Sequence, residues 1–419
     1  MTELTLADLV LADLTLADAQ RRDAADPLAY TRARFELPEG IIYLDGNSLG
    51  ALPCATADAI ADVVGAQWGQ SLIASWNRHD WIGLPQRLGA KIAPLIGAAA
   101  DEVIVTDTTS TNLFKLIAAA LDARPGRQVI LSEAGNFPSD LYMAQGVVAM
   151  RGGTLKTVAE AEILAALDDS VAVLLLTHVH YKSGRIHDMA ALTAAAHATG
   201  ALVIWDLSHS TGAVPVDLNG CNADMAVGCG YKYLNGGPGA PAFLYVARRL
   251  QSELHSPLSG WMGHAAPFAF EHGYRPAPGI DRFLCGTPSI LAMAALETGL
   301  ATFDGVDRAA LFAKGRALGD YCIELMEARC AGRGFTLASP KTARGSHVSF
   351  AHADAWPVCQ ALIARGVVGD FRTPDVLRLG FAPLYIRFVD VWHAVEAVRD
   401  VVDSGVWNAP EFHARAAVT

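Results

Sequence analysis

A single lysine, Lys232, stands between a short apolar run, Met225-Ala226-Val227, and a turn-forming stretch, Asn235-Gly236-Gly237-Pro238-Gly239, which leads into a second apolar run at 241–246. Apolar runs of this length bounded by glycine read as buried strands, so the lysine sits at a strand end. A partly desolvated amine there loses basicity and favours the neutral form that makes a Schiff base with a carbonyl. The same spacing also suits a surface lysine beside a hairpin. Two phosphate-loop readings fail. A Walker loop needs Ser or Thr after its lysine, and Tyr233 follows here; a dinucleotide loop must open a helix, whereas Gly236-Gly237-Pro238-Gly239 carries a proline and leads into a strand.

Asp206 closes the apolar run at 202–206, three residues before His209 and 26 before Lys232. Ligands of open α/β sheets collect beyond the carboxyl ends of the strands, so Asp206, His209 and Lys232 can all reach one crevice. A carboxylate there keeps a pyridine nitrogen protonated through a charge-assisted hydrogen bond. Beside a Schiff-base lysine, that is what pyridoxal phosphate requires of a protein. An aspartate at a strand end also serves as a helix cap or turn residue. Thr109 and Ser110 precede an apolar helical run, where backbone N–H and hydroxyl groups face a phosphate or simply cap the helix. Phe137, three residues before Asp140 in a loop after a strand, offers a face for a cofactor ring or a piece of core. His178 and His180 would share one face of a strand, but no acidic third ligand lies near them, so they read as pocket lining and no metal is expected.

The elements that must position these groups alternate. Strands are expected at 103–105, 128–131, 171–176 and 201–205, with helices from about 111 and over 189–198. The unbroken apolar character of Val171-Ala172-Val173-Leu174-Leu175-Leu176 suits a strand covered on both faces, which makes this an α/β protein with a mainly parallel central sheet. Beyond about 310 the pattern changes to a smaller α+β domain, with a long helix near 308–330 and short strands at Ser346-His347-Val348-Ser349-Phe350-Ala351 and Val376-Leu377-Arg378-Leu379-Gly380-Phe381. The expected division is an N-terminal helix and arm over 1–60 packing on both domains, a cofactor-binding domain over 61–309 and a small domain over 310–419. Leu-Ala-Asp recurs every five residues in 4–20 and reads as a terminal helix; Asp45-Gly46-Asn47 reads as a turn.

The chain has 419 residues, is 52% apolar and only 18% charged, and carries a net charge of −11. Without a basic cluster, nucleic acid is excluded as a partner, and an anionic ligand must be held by a local device. Seven cysteines with no C-x-x-C pair point to reduced thiols. The acidic N-terminus lacks the basic region of a signal peptide, and no apolar stretch reaches membrane-spanning length, so a soluble cytoplasmic protein with no membrane partner is expected.

Taken jointly, Leu44-Asp45-Gly46-Asn47-Ser48-Leu49-Gly50, Asn136-Phe137-Pro138-Ser139-Asp140, Trp205-Asp206-Leu207-Ser208-His209, the stretch from Gly230 to Gly239, Gly260-Trp261-Met262-Gly263-His264 and Gly286-Thr287-Pro288-Ser289 resemble the kynureninases. These are pyridoxal-phosphate enzymes of fold type I, with an aspartate aminotransferase-like large domain. The resemblance covers roughly 40–390. It implies that Lys232 carries the Schiff base and moves the substrate α-proton, that Asp206 pairs with the pyridine nitrogen and that Phe137 stacks on the ring. Thr109, Ser110, Asp140, His209 and Tyr231 would complete the pocket, Tyr231 also serving as proton donor to Cβ. Trp261 and Thr287 match positions supplied by a neighbouring subunit, which implies a homodimer with a shared active site. Arg378 matches the arginine that holds the substrate α-carboxylate.

Trp76, Gly286 and Thr287 resemble the substrate-ring side of bacterial members; animal members, which favour the 3-hydroxylated substrate, carry His and Asn at the positions matching Trp76 and Thr287. The implied reaction is hydrolysis of L-kynurenine to anthranilate and L-alanine by cleavage between Cβ and Cγ, in tryptophan catabolism. A cysteine desulfurase-like enzyme would instead need a cysteine on a mobile loop, for which Cys285 is nearest in sequence. A silent cofactor-binding regulator would keep Lys232 and Asp206 but attach a DNA-binding or partner module, and no basic helix-turn-helix segment is visible.

Overall fold

Seven strands form one sheet in residues 55–181 and 186–301 of the computed structural model, which describes residues 14–415. They are β1 (Val103–Val105), β2 (Val129–Glu133), β3 (Thr154–Val158), β4 (Val171–Thr177), β5 (Leu202–Asp206), β6 (Met225–Gly228) and β7 (Phe243–Val246). Their spatial order is β1-β7-β6-β5-β4-β2-β3. Only β7 runs antiparallel to its neighbours; the four pairs from β6 to β3 are parallel. Every residue of β4, β5, β6 and β7 is buried, as unbroken apolar runs in a doubly covered sheet require. Each fully buried Val or Leu contributes about 1.5–3 kcal/mol. The edge strand β3 has only exposed and half-buried residues. Its polar Thr-Leu-Lys-Thr-Val composition is why no strand is expected there from the sequence.

Four helices matter for the site: α1 (Thr109–Asp122), α2 (Pro138–Arg151), α3 (Met189–Thr199) and α4 (Ile290–Ala301). α1 buries Leu113, Leu116 and Ile117 in a core shared with Ile104, Ile204 and Val227 of the sheet. It begins two residues earlier than its apolar pattern suggests, because Thr108 takes the capping role and its hydroxyl accepts from the Thr111 N–H at 3.2 Å. One glycine after Lys232, Gly236, has a packing reason. A side chain at Gly236 would collide with Leu296 of α4, and one at Gly299 with the Leu234 carbonyl, so the loop lies directly on that helix.

The remaining described residues, up to 54, at 182–185 and from 302, form a second compact unit. Its four-stranded antiparallel sheet has the order β8 (Thr336–Leu337), β9 (His347–Ala351), β11 (Val376–Gly380), β10 (Asp370–Arg372). Helices α5 (Arg308–Arg329), α6 (Ala355–Ala364) and α7 (Phe388–Ser404) complete it. The units divide at 54 and 301, where the sequence suggests 60 and 309. Most of the Leu-Ala-Asp repeat, up to residue 13, lies outside the described residues; its last copy opens a helix, Leu16–Ala24, capped by Thr15.

Candidate active site

Parallel register brings the strand ends level. Thr177 at the end of β4 pairs with Asp206 at the end of β5, and Asp206 pairs with Val227 of β6. Three residues past Asp206 comes His209; four past Gly228 comes Lys232. The Lys232 Nζ lies 3.2 Å from Nε2 of His209, and both residues are buried. These groups, with Thr109 and Ser110 from the start of α1, Phe137 and Asp140 from the start of α2, and Tyr231, line one cleft of about 150 Å³. Eight residues that the sequence places in one crevice line this cleft. Thr108, Ser139 and Ser208 line it too; as small polar residues at two helix starts and in a turn they carry no sequence signal of their own.

One wall is aromatic: the Lys232 Nζ stands 5.7 Å from the centre of the Phe137 ring and 5.8 Å from that of Tyr231. Burial, with Cys229 and Asp206 nearby, pushes the Tyr231 phenol well above its usual range, so it stays protonated. The floor is a pair of carboxyl groups. Burial first, and then the Asp206 charge and its hydrogen bond, raise Asp140 well above the usual carboxylate range. Asp140 is thus the protonated member, and it donates to Asp206, whose Oδ1 also accepts from the Ser208 N–H at 2.7 Å.

Beneath this pair runs a buried network absent from the sequence reading. Asn136 Oδ1 accepts from the backbone N–H of Phe137 at 2.9 Å and from the Thr177 hydroxyl, while its amide donates to the Ser132 hydroxyl at 3.1 Å. Thr177 also donates to Asp140 at 3.3 Å. One asparagine so orients both the aromatic wall and the acidic floor. The meeting of these partners across β2, β4 and α2 is a tertiary relation that no local pattern encodes.

His178 and His180 diverge. β4 ends at Thr177; His178 Nδ1 then meets the Ser210 hydroxyl at 2.9 Å, whereas His180 Nε2 donates to the Gly135 carbonyl at 2.8 Å. Burial, with His187 adjacent, lowers His178 to about 4 and keeps it neutral. Among the described residues no three His, Cys, Asp or Glu side chains gather as metal ligands, and none of the seven cysteines is in a disulfide.

Trp76, Trp261 and Thr287 do not line the cleft. Trp76 is half-buried with its ring edge-on to Trp81 at 5.8 Å; Trp261 is 37% exposed and edge-on to Phe268 at 5.5 Å; Thr287 is exposed beside Gly286. Arg378 belongs to the second unit, in the middle of β11 and 1% exposed. Its Nε donates to Asp370 Oδ1 at 2.8 Å, its Nη2 donates to Asp370 Oδ2 and, at 3.0 Å, to the Ser48 hydroxyl. With its amide oxygen turned toward the guanidinium, Asn47 accepts as well, at 2.9 and 3.0 Å. The Asp45-Gly46-Asn47-Ser48 turn thus belongs to an arginine site, a role its sequence alone does not disclose.

Across 406 residues, 95% of this chain and 98% of the relative, the sequence is 55% identical to the kynureninase of Burkholderia mallei; to that of Pseudomonas fluorescens it is 51% identical over the same shares. This chain belongs to the kynureninase family. The family's C-terminal-domain model matches residues 311–398, which take in Asp370 and Arg378. Among solved structures, a cysteine desulfurase from Thermococcus onnurineus superposes with a TM-score of 0.76 at 18% identity, covering 90% of this chain and 98% of that one. A cystine C-S lyase in complex with cysteine persulfide gives 0.70 at 17%, covering 86% and 98%. At such identities these likenesses speak for the fold, which is that of fold-type-I pyridoxal-phosphate enzymes. The donor set of the cleft fits that cofactor: a buried lysine, a pair of carboxyl groups on the floor, an aromatic wall, and the hydroxyl-bearing start of α1 for the phosphate.

Proposed function

We propose that this chain hydrolyses L-kynurenine to anthranilate and L-alanine with pyridoxal 5'-phosphate as cofactor. The observation that carries the reading is the meeting of Lys232, His209 and Asp206 in one cleft of a chain 55% identical to a kynureninase over nearly its whole length. Lys232 would hold the cofactor covalently, Asp206 its ring nitrogen, Phe137 its ring face, and Thr109 and Ser110 its phosphate, with Asp140, His209 and Tyr231 completing the pocket. When bound, the cofactor supplies an electron sink for charge developing at the substrate α-carbon. Lys232 takes the proton from that carbon as general base, and its burial beside His209 and the two rings excludes bulk water from the transfer. The protonated Tyr231 phenol is the donor to Cβ after the bond to Cγ breaks. Water supplies the oxygen of the anthranilate carboxyl, so kynurenine plus one water balances anthranilate plus alanine.

Arg378 is the anchor for the substrate α-carboxylate in this reading, and Trp76 and Thr287 flank the substrate ring. Trp261 and Thr287 serve a second copy's site in a homodimer. Large apolar side chains left in water support that assembly, among them Ile73 at 80% and Phe270 at 77% exposure, with Trp68 and Leu72 alongside. A cytoplasmic location accords with seven cysteines outside any disulfide; no described helix is long and apolar enough to cross a membrane. The test is to supply the purified holoprotein with L-kynurenine in one vessel and L-cysteine in another. Equimolar anthranilate and alanine from the first supports the reading; alanine with an equivalent of protein-bound persulfide from the second, with the first inert, would replace it by desulfuration.

A further inference from the structure

Lys115 has no exposed side-chain surface, yet it lies on α1 among Leu113, Leu116 and Ile117 and outside the cleft. Its ammonium donates to Asp107 Oδ2 and, at 2.6 Å, to the backbone carbonyl of Phe283. Burying an ammonium costs several kcal/mol, and an ion pair seldom returns more than a well-packed apolar residue would. Stability alone is therefore a poor reason for a lysine here, and what the pair holds in place is a better one.

It holds a turn. Asp107 has a φ of +49°, a left-handed conformation that a non-glycine residue adopts only when its surroundings impose it. This residue reverses the chain between β1 and the start of α1. Around it the contacts are dense: the Thr106 hydroxyl donates to Asp107 Oδ2 at 2.8 Å, the Ala242 N–H donates to the Asp107 carbonyl at 2.8 Å, and Asn112 donates to the Thr106 carbonyl at 2.8 Å. Next in the chain come Thr108, Thr109 and Ser110, all on the cleft. The first N–H groups of a helix have no partner within it, and here the Thr108 hydroxyl takes only that of Thr111. The direction of the Thr109 and Ser110 N–H groups is thus fixed by where Asp107 turns.

We infer that the Lys115–Asp107 pair is a positioning device for the phosphate end of the cofactor site: it holds the left-handed turn that aims the start of α1 at the phosphate, without either side chain touching it. The inference rests on the reading of the cleft as a pyridoxal-phosphate site. Its consequence is selective. Loosening the pair should weaken recognition of a phosphate ester and leave the ring, held by Asp206, Phe137 and Lys232, as before.

The experiment titrates apoprotein with pyridoxal 5'-phosphate and, separately, with pyridoxal, following the cofactor absorbance, for the parent, Lys115→Met and Asp107→Asn. In both variants the Kd for pyridoxal 5'-phosphate should rise about tenfold or more while that for pyridoxal stays within about twofold. Should Lys115→Met fail to fold, Asp107→Asn, which keeps size and tolerance of the left-handed region, carries the test. A parallel loss for both ligands, or no loss for either, overturns the positioning role. A parent apoprotein that binds neither ligand overturns the cofactor reading itself and the inference with it.

Discussion

Asp370 grips Arg378 along one edge of the guanidinium, Nε to Oδ1 at 2.8 Å and Nη2 to Oδ2, with both side chains 1% exposed. Burial alone would raise the Asp370 carboxyl; the Arg378 and Arg372 charges override it and hold the group below its usual range. The arginine proposed to receive the substrate carboxylate is therefore already oriented by a carboxylate of the protein, and the fork is fixed before substrate arrives.

Arg378→Lys keeps the charge but cannot make two parallel hydrogen bonds to Asp370. Substrate binding should weaken, with the loss mainly in kcat/KM, and the melting temperature should fall as well. Arg378→Met, which takes from the buried Asp370 its bidentate partner and leaves it to Arg372 and Ser48, should cost stability, at most about 3–5 kcal/mol. Chemical denaturation together with saturation kinetics checks both; an unchanged KM in Arg378→Lys would move the carboxylate anchor elsewhere.

Asp45, close to the same cluster, is raised to about 7, by burial first and then by the Asp370 charge. The unfolded chain releases this proton near the ordinary carboxylate value, and the folded chain keeps it until about 7. Across that window the folded state binds more protons, so this group makes stability fall as pH rises, and the penalty is complete above about 7. Asp45→Asn removes the ionisation. Its melting temperature should exceed the parent's at pH 8 and converge on it near pH 4; a variant less stable than the parent at pH 8 would refute the assignment.

The two floor carboxyls should respond differently to the same change. Asp140 is held neutral, so Asp140→Asn should retain cofactor and most turnover. Asp206→Asn replaces the carboxyl proposed to hold the ring nitrogen by an amide, and kcat should fall by about 10²–10³-fold, the scale for loss of one preorganised electrostatic contact. Comparable losses in both variants would mean that the proton is not on Asp140.

Much of this site is legible in the sequence because its chemistry sits at strand ends. Asp206 closes an apolar run and Lys232 comes soon after another, and parallel register does the rest. Phe137 and Asp140 are visible for the same reason, at the start of a helix after a strand. What is hidden is held by long-range partners. Asn136 and Thr177 are 41 residues apart and meet through side chains, and Ser48 reaches Arg378 across 330 residues. The half-polar edge strand β3 escapes too, because one side of it faces water and its alternation is too weak to separate from a loop. Arg378 is visible only through family resemblance, since a lone arginine in an apolar strand has no local signature.

Substrate choice tests the ring pocket. A phenolic hydroxyl buried without a partner costs free energy, and Trp76 offers bulk with one N–H donor, so L-kynurenine should be preferred over 3-hydroxy-L-kynurenine by about 10 to 200-fold in kcat/KM. Equal or higher kcat/KM for the hydroxylated substrate on the same preparation would remove Trp76 and Thr287 from the specificity wall while leaving the reaction intact.

The central claim is that Lys232, 3.2 Å from His209 at the end of β6, is the residue that carries the cofactor. Borohydride reduction of the holoprotein and subsequent peptide mapping measure this directly. One pyridoxyl group per chain on Lys232, with the visible absorbance bleached in step, is the expected result, and Lys232→Ala should take no label and show no turnover of L-kynurenine. Label on another lysine, or full turnover in the variant, would contradict the account.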